Sequence, residues 1–91
     1  MNIKKVKKEA IFAFGKKFWK ENKESIIKAI DNIKLSVGDE FDFDGHSYVV
    51  KHIYITHEGI LEAAYFGIES INGKEYEICK RQSSLEKAGS I

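Results

Sequence analysis

Apolar side chains recur at intervals of three and four residues through residues 3–35, and this spacing predicts amphipathic α-helix. The first members of the stripe lie on one helical face: Ile3, Val6, Ala10, Phe14 and Phe18. Asn22 offers a second N-cap, because Glu24 follows it in a first turn, where negative charge is favourable. We therefore predict two helices that join near Asn22, with a single bent helix as the alternative. Gly15 marks a bend or a close contact inside the pattern.

After Gly38 the period of the pattern changes to two, which is the period of a β-strand. Phe41 and Phe43 alternate with acidic residues, and three further runs rich in β-branched and aromatic residues follow them. Three turn signals separate these strands: Asp44-Gly45, Glu58-Gly59 and Asn72-Gly73. Successive turns of this kind predict an antiparallel meander over residues 40–81.

The length of the chain allows one hydrophobic core, so we predict a single domain spanning residues 1–91. Its predicted parts are helices at about 3–35, a sheet at about 40–81, and a short turn or helix with a tail at 83–91. The last helix is indicated by Ser83 and Glu86, which have capping-box spacing. The predicted fold class is α+β, with the N-terminal helices packed on one face of a four-stranded antiparallel meander sheet.

The sequence excludes a membrane-spanning helix, because no stretch reaches the roughly 20 apolar residues that a span needs. The apolar run at residues 10–14 is short and is followed by Lys16 and Lys17, so we expect no signal peptide. The single cysteine excludes a disulfide framework within the chain. We therefore expect a cytoplasmic protein.

The formal net charge of +1 conceals two oppositely charged halves of the chain. Residues 1–35 contain ten lysines and four acidic residues, for a net charge of +6. Residues 36–91 contain five basic and ten acidic residues, for a net charge of −5. Either the two halves neutralise each other in the fold, or each of them faces a different partner.

An acidic edge is formed by four residues in and around the first predicted strand: Asp39, Glu40, Asp42 and Asp44. Such a surface can mimic a phosphate backbone or steer a basic protein onto it, whereas the simpler interpretation is an edge that charge protects from aggregation. Further acids line the later strands: Glu58, Glu62, Glu69, Glu75 and Glu77. The edge also resembles half of a calcium-binding loop. Lys51 stands where that loop needs a bidentate carboxylate, so we predict no metal there.

Lysines and aromatic residues interleave in the N-terminal helical segment. The candidates for nucleic-acid contacts are Lys4, Lys5, Lys7, Lys8, Lys16, Lys17, Trp19 and Lys20. The lysines would contact phosphates and the aromatic rings would stack on bases, although the same pattern also suits an anionic membrane surface. In the simpler interpretation, the core contains Ile11, Phe14 and Phe18, and the lysines are exposed to solvent.

The nitrogen and sulfur ligands of the chain are three histidines and one cysteine: His46, His52, His57 and Cys79. The spacing puts His46 and His52 on the same strand face but roughly 20 Å apart, so we predict no metal site and no cofactor. Lys80 and Arg81 could activate the Cys79 thiol, but no nucleophile elbow or phosphate-binding loop accompanies it. We predict no catalytic residue, and a small enzyme that uses Cys79 or a histidine is the weakest alternative.

In size, charge split and absence of catalytic motifs, the chain is similar in type to the small proteins of phages and mobile elements, including anti-CRISPR proteins. The resemblance covers no specific residues. The leading hypothesis is a non-enzymatic macromolecule-binding protein, an inhibitor that engages a nucleic-acid-handling protein complex through an acidic sheet surface. The alternative is direct nucleic-acid binding by the basic N-terminal helix. A homodimer is a further candidate, with the basic helix of one chain on the acidic sheet of another.

Overall fold

Three helices and four strands make up the chain, and a computed structural model describes all of residues 1–91. In chain order the elements are α1 (Ile3–Phe14), α2 (Lys16–Asp31), β1 (Glu40–Phe43), β2 (His46–Ile55), β3 (Ala63–Ile71), β4 (Lys74–Arg81) and α3 (Gln82–Lys87). The strands form one antiparallel sheet in the order β1-β2-β3-β4, which is a meander. The predicted α+β class and the four-stranded meander are confirmed.

The junction between α1 and α2 lies at Gly15, so the prediction of a junction near Asn22 is wrong. Gly15 has φ 92° and ψ 167°, a conformation that glycine adopts far more readily than other residues. Its N–H makes the last backbone hydrogen bond of α1, to the Ile11 carbonyl, and its positive φ then ends the helix. Asn22 lies inside α2, where its side-chain amide donates to the Phe18 carbonyl 3.0 Å away. The glycine that marks a bend in the sequence therefore separates two helices.

The hydrophobic core lies on one face of the sheet, which we call the inner face and which carries Phe41, Val50 and Tyr65. Ala63 and Leu85 complete the buried cluster, and Leu85 reaches it from α3. Half-buried residues pack against this cluster from the segment after α2 and from the chain end: Ile33, Leu35 and Ile91. The inner face is therefore covered by α3, by the segment that follows α2 and by the last residue of the tail.

The two N-terminal helices contact each other far more than they contact the sheet. α1 has no buried residue, whereas α2 buries Trp19, Ile26 and Ala29. The Phe14 ring lies 4.6 Å from the His57 ring, just beyond the end of β2. The helices thus attach to one end of the sheet, and the molecule is elongated, with extents of 46 × 26 × 19 Å. None of the helices has the length and the apolar character needed to cross a membrane.

The sheet curls around its inner face. The Phe41 ring of β1 reaches across β2 to Gly67 of β3, where a Cβ atom would lie 2.9 Å from Phe41 Cε1 and Cζ and from Tyr48 Cβ. The Lys80 ammonium group of β4 lies 4.4 Å from the centroid of the Phe43 ring of β1. Because side chains from the two edge strands meet over the inner face, the opposite face of the sheet is convex.

A polar network ties the end of α2 to β3 and α3. The buried Tyr65 hydroxyl donates to Gln82 Oε1 at 2.5 Å and accepts from the Lys34 N–H at 3.1 Å. The Gln82 side-chain amide donates in turn to the Asn32 carbonyl at 2.8 Å. Every buried side-chain nitrogen and oxygen has a hydrogen-bond partner, so hydrogen bonds offset the cost of removing these polar groups from water.

The prediction of a capping box for the last helix is wrong. α3 begins at Gln82 rather than after Ser83. The Ser83 N–H and hydroxyl donate to the Glu62 carboxylate at 2.6 and 2.9 Å. The Glu86 carboxylate accepts from the Gln82 amide and pairs with Lys34. The Glu62 carboxylate, from the loop before β3, therefore accepts the hydrogen bonds in place of the predicted capping box.

A β-bulge between Val50 and His52 moves the side chains in the second half of β2 to the sheet face opposite to the one that regular alternation would give. His46 pairs with Phe43 and lies on the inner face, whereas His52 pairs with Phe66 on the opposite face. The prediction that the two histidines share a face is therefore wrong, because one extra residue reverses the alternation of a strand.

We predict that Gly67→Ala destabilises the fold, because the new methyl group would collide with the Phe41 ring and the Tyr48 Cβ atom. Overpacking of this kind costs about 1–3 kcal/mol. Equilibrium unfolding in urea measures the change, and Ser70→Ala, at an exposed position of the same strand, is the control. An unchanged unfolding midpoint for Gly67→Ala would contradict the close packing of β1 on β3.

Candidate functional site

The convex face of the sheet, which we call the outer face, carries a row of residues in register across all four strands: Glu40, Val49, Ile68 and Glu77. Directly opposed residues share a face, so the row has a carboxylate at each end and apolar side chains at its centre. Phe66 lies two residues from Ile68 on β3 and extends the apolar centre. These three apolar side chains are half-buried, although α3 covers the opposite, inner face and the N-terminal helices attach at the end of β2.

Asp42 and Glu75 continue the two acidic margins, since each lies two residues from a carboxylate of the row. All four acids are exposed, and none forms an ion pair. Asp42 also accepts a hydrogen bond from the Ser47 hydroxyl at 2.5 Å. Three strand spacings separate the two margins by about 14 Å along the sheet. The acidic outer face thus comprises Glu40, Asp42, Glu75, Glu77, Val49, Phe66 and Ile68.

The other two residues of the predicted acidic edge shape turns. The Asp39 carboxylate accepts from the Ser36 N–H at 2.7 Å, and the Asp39 carbonyl accepts from the Val50 N–H. Asp44 has φ 52° and Gly45 has φ 80°, as in the two-residue turn that joins tight hairpins. The structure therefore brings Glu40 and Asp42 together on the outer face and gives Asp39 and Asp44 local roles.

Glu75 and Glu77 belong to this surface although sequence reasoning did not place them with Glu40. Alternation along β4 puts Glu75 and Glu77 on the opposite sheet face from Tyr76 and Ile78. The pairing of Glu77 with Ile68 then shows that this is the outer face. The alternation along β4 and the tight Asn72-Gly73 turn are sequence signals that place Glu75 and Glu77 on one face of a hairpin strand. What the sequence lacks is the alignment of β4 with β1, which depends on two intervening strands.

The charged halves of the chain remain mostly unpaired in the fold. Of the five ion pairs, only the one between Lys34 and Glu86, at 3.0 Å, joins residues 1–35 to residues 36–91. The hydrogen bond from Lys34 lowers the pKa of the Glu86 carboxyl. The helices and the sheet therefore present opposite charges to solvent instead of cancelling each other.

The basic surface consists of lysines that are all exposed on α1 and α2: Lys4, Lys5, Lys7, Lys8, Lys16, Lys17 and Lys20. One of them forms an ion pair, a 4.0 Å contact between Lys17 and Glu21 within α2. Lys4 and Lys8 lie one helical turn apart, and Phe12 continues their row at the next turn. This lysine and phenylalanine row faces solvent along its whole length.

The aromatic residues of the basic segment divide between the interior and the surface. Trp19 is buried, and the Lys7 ammonium lies 5.9 Å from the centroid of its ring. Phe18 is half-buried against Phe14, with ring centroids 4.9 Å apart. Phe12, in contrast, is 94% exposed, so it is the aromatic ring of the basic segment most accessible to a ligand, ahead of the partly exposed Phe14.

A groove of about 260 Å³ separates α1 from the second half of β2. Val6, Ala10 and Phe14 line it from the helix, and Ile53 and Ile55 line it from the strand. Polar and ionisable side chains also line it, among them Lys5, Glu9, His52 and His57.

Cys79 lies exposed on the outer face, where its sulfur is in hydrogen-bond contact with the Tyr54 hydroxyl. This hydrogen bond, followed by partial burial and the charge of the thiolate, raises the pKa of Tyr54. Phe66 lies between His52 and Cys79 in the strand register, which keeps the imidazole about two strand spacings from the sulfur. Cys79 therefore has Tyr54 as its hydrogen-bond neighbour, and His57 and Arg81 line the same shallow surface cavity.

The remaining histidines have separate surroundings. His46 Nδ1 lies 2.8 Å from Glu69 Oε1 on the inner face, and His57 contacts Phe14. No group of three or more His, Cys, Asp or Glu side chains has a geometry that could hold a metal ion.

Comparisons with known proteins do not assign a function. No protein-family model, curated protein or solved structure matches this chain. A functional conclusion has to rest on the charged surfaces described above.

We predict that Cys79→Ala lowers the pKa of Tyr54 towards the ordinary tyrosine value of about 10, because the hydrogen bond and the thiolate charge are both removed. Spectrophotometric titration of tyrosinate absorbance measures the change. Tyr54→Phe identifies which part of the titration belongs to this residue. Identical titration curves for Cys79→Ala and the unaltered protein would contradict the contact.

Proposed function

We propose that this chain is a non-enzymatic binding protein that attaches to a positively charged macromolecular partner through the acidic outer face. The partner that fits best is a protein complex that handles nucleic acid. The observation that carries the proposal is the set of four exposed, unpaired carboxylates that flank an apolar centre.

The chemistry of the acidic outer face matches that of a nucleic-acid channel. Such channels are lined with lysine and arginine, which attract carboxylates as they attract phosphates. A convex surface can enter a cleft, and Val49, Phe66 and Ile68 would supply apolar contacts at its centre. Occupation of the cleft would exclude nucleic acid, which is inhibition by surface mimicry. We place this activity in the cytoplasm, in the setting of phage or mobile-element proteins.

An alternative explanation assigns the carboxylates to protection of the sheet edges, because charge on β1 and β4 discourages pairing with other chains. Lysine protects an edge as well as glutamate does. Reversal of charge therefore separates the two explanations: protection survives it, and attraction to a basic partner does not.

We predict that Glu75→Lys with Glu77→Lys weakens capture of the partner from lysate by at least about tenfold, because repulsion replaces attraction at one margin. A pull-down with nuclease treatment keeps nucleic acid from bridging the two proteins. Glu24→Lys with Asp31→Lys is the matched control, since these exposed, unpaired acids on α2 give the same charge change. Equal capture by both double variants would contradict the proposal.

A second candidate function is direct binding of nucleic acid by the basic surface of α1 and α2. The observation that favours it is the exposure of every lysine in the segment together with the exposed ring of Phe12. Lysine is a hydrated point charge that contacts phosphate without reading bases. Binding of this kind would be independent of sequence and sensitive to salt.

We predict for this second function that replacing Lys4, Lys5, Lys7 and Lys8 with Gln weakens binding to all nucleic-acid sequences alike and flattens the dependence of log affinity on log salt. Each lost phosphate contact on duplex DNA reduces the slope by about 0.9. Fluorescence anisotropy across a salt series measures it, with Gln replacements at Lys23, Lys28, Lys74 and Lys87 as the control. No binding at low salt, or an equal loss in the control, would exclude this function.

A further inference from the structure

The chain carries two surfaces that complement each other, and we infer that two copies of it bind each other, with α1 of one copy on the acidic outer face of the other. The inference does not depend on the proposed function, because it concerns a second copy of this chain and not a foreign partner. It rests on the composition of the two surfaces and on their separation within one molecule.

The helix surface has an exposed apolar ring at the end of a row of positive charges. Phe12 is 94% exposed, which is the highest exposure among the large apolar residues of the chain. Lys8 precedes it by one turn and Lys4 by two, so the three lie on one ridge of α1. A single exposed ring is common on protein surfaces, so it is the ring together with the lysines of the same ridge that makes this surface complementary to the outer face.

The sheet surface has the inverse arrangement. Its apolar centre, formed by Val49, Phe66 and Ile68, lies between acidic margins about 14 Å apart. An α-helix with its side chains is about 10–12 Å wide, so one helix fits along the central strands with carboxylates on both sides. Phe12 would contact the apolar centre, and the lysines would reach the margins.

One molecule cannot satisfy both surfaces by itself. The junction at Gly15 and the contact between Phe14 and His57 hold α1 beside the end of β2, away from the acidic row. A single ion pair, between Lys34 and Glu86, joins the two charged halves. A second copy can supply both partners, and a reciprocal arrangement would close as a two-fold dimer.

Self-association and partner binding would then use the same acidic outer face. A dimer would hide both charged surfaces until a more basic partner displaced the helix. Monomeric behaviour of the protein would remove this inference and leave the proposed binding of a foreign partner intact, so the two ideas fail separately.

Light scattering after size-exclusion chromatography tests the inference on the whole chain at low and high salt. We expect a concentration-dependent dimer at low salt that dissociates at high salt, because screening weakens pairs between exposed charges. A monomer at every concentration and at both salt levels would overturn the inference.

Charge-swapped variants locate the contact. We expect Lys4→Glu with Lys8→Glu, and separately Glu75→Lys with Glu77→Lys, to weaken self-association by roughly tenfold or more. An equimolar mixture of the two variants should associate again, since each regains an opposite charge, and this recovery also shows that both are folded. The control is Lys23→Glu with Lys28→Glu on α2, which should associate as the unaltered protein does. Association that the swaps leave unchanged, or that the mixture does not recover, would overturn the inference.

Discussion

The packing of the Phe41 ring on Gly67 is the constraint on which the rest of the structure depends. It draws β1 across β2 towards β3 and so curls the sheet around a small core. The same curl brings Lys80 over Phe43 and makes the opposite face convex. A core of this size is closed without the N-terminal helices, because Leu85 and the segment after α2 cover it. The N-terminal helices are therefore not needed to close the core, and they carry exposed lysines at one end of the molecule.

The central functional claim follows from charges that the fold leaves unpaired. An isolated surface carboxylate contributes little to stability, and we propose that the four around the apolar centre attract a basic partner. The lysines of α1 and α2 are equally free, and Phe12 stands among them in solvent. The molecule thus has one acidic and one basic exposed surface, and each of them includes apolar side chains.

The fold class and the antiparallel meander could be predicted because the changes of period and the turn dipeptides are local signals. The alternation of Phe41 and Phe43 with acids likewise placed Glu40 and Asp42 on the solvent side. Three features could not be predicted, because each depends on residues distant in sequence. The bulge after Val50 reverses the facing of His52, Glu62 replaces the local cap at Ser83, and the alignment of β4 with β1 adds Glu75 and Glu77 to the acidic surface.

The most direct test of the central claim is a map of backbone amide chemical shifts during titration with a synthetic oligolysine peptide at low salt. The peptide stands in for the basic surface of a partner and requires no knowledge of its identity. We predict that the shifts concentrate on β1 and β4 and on Val49 and Ile68 between them. Shifts that spread evenly over all acidic residues, or that spare the outer face, would contradict the claim that this face is the binding surface.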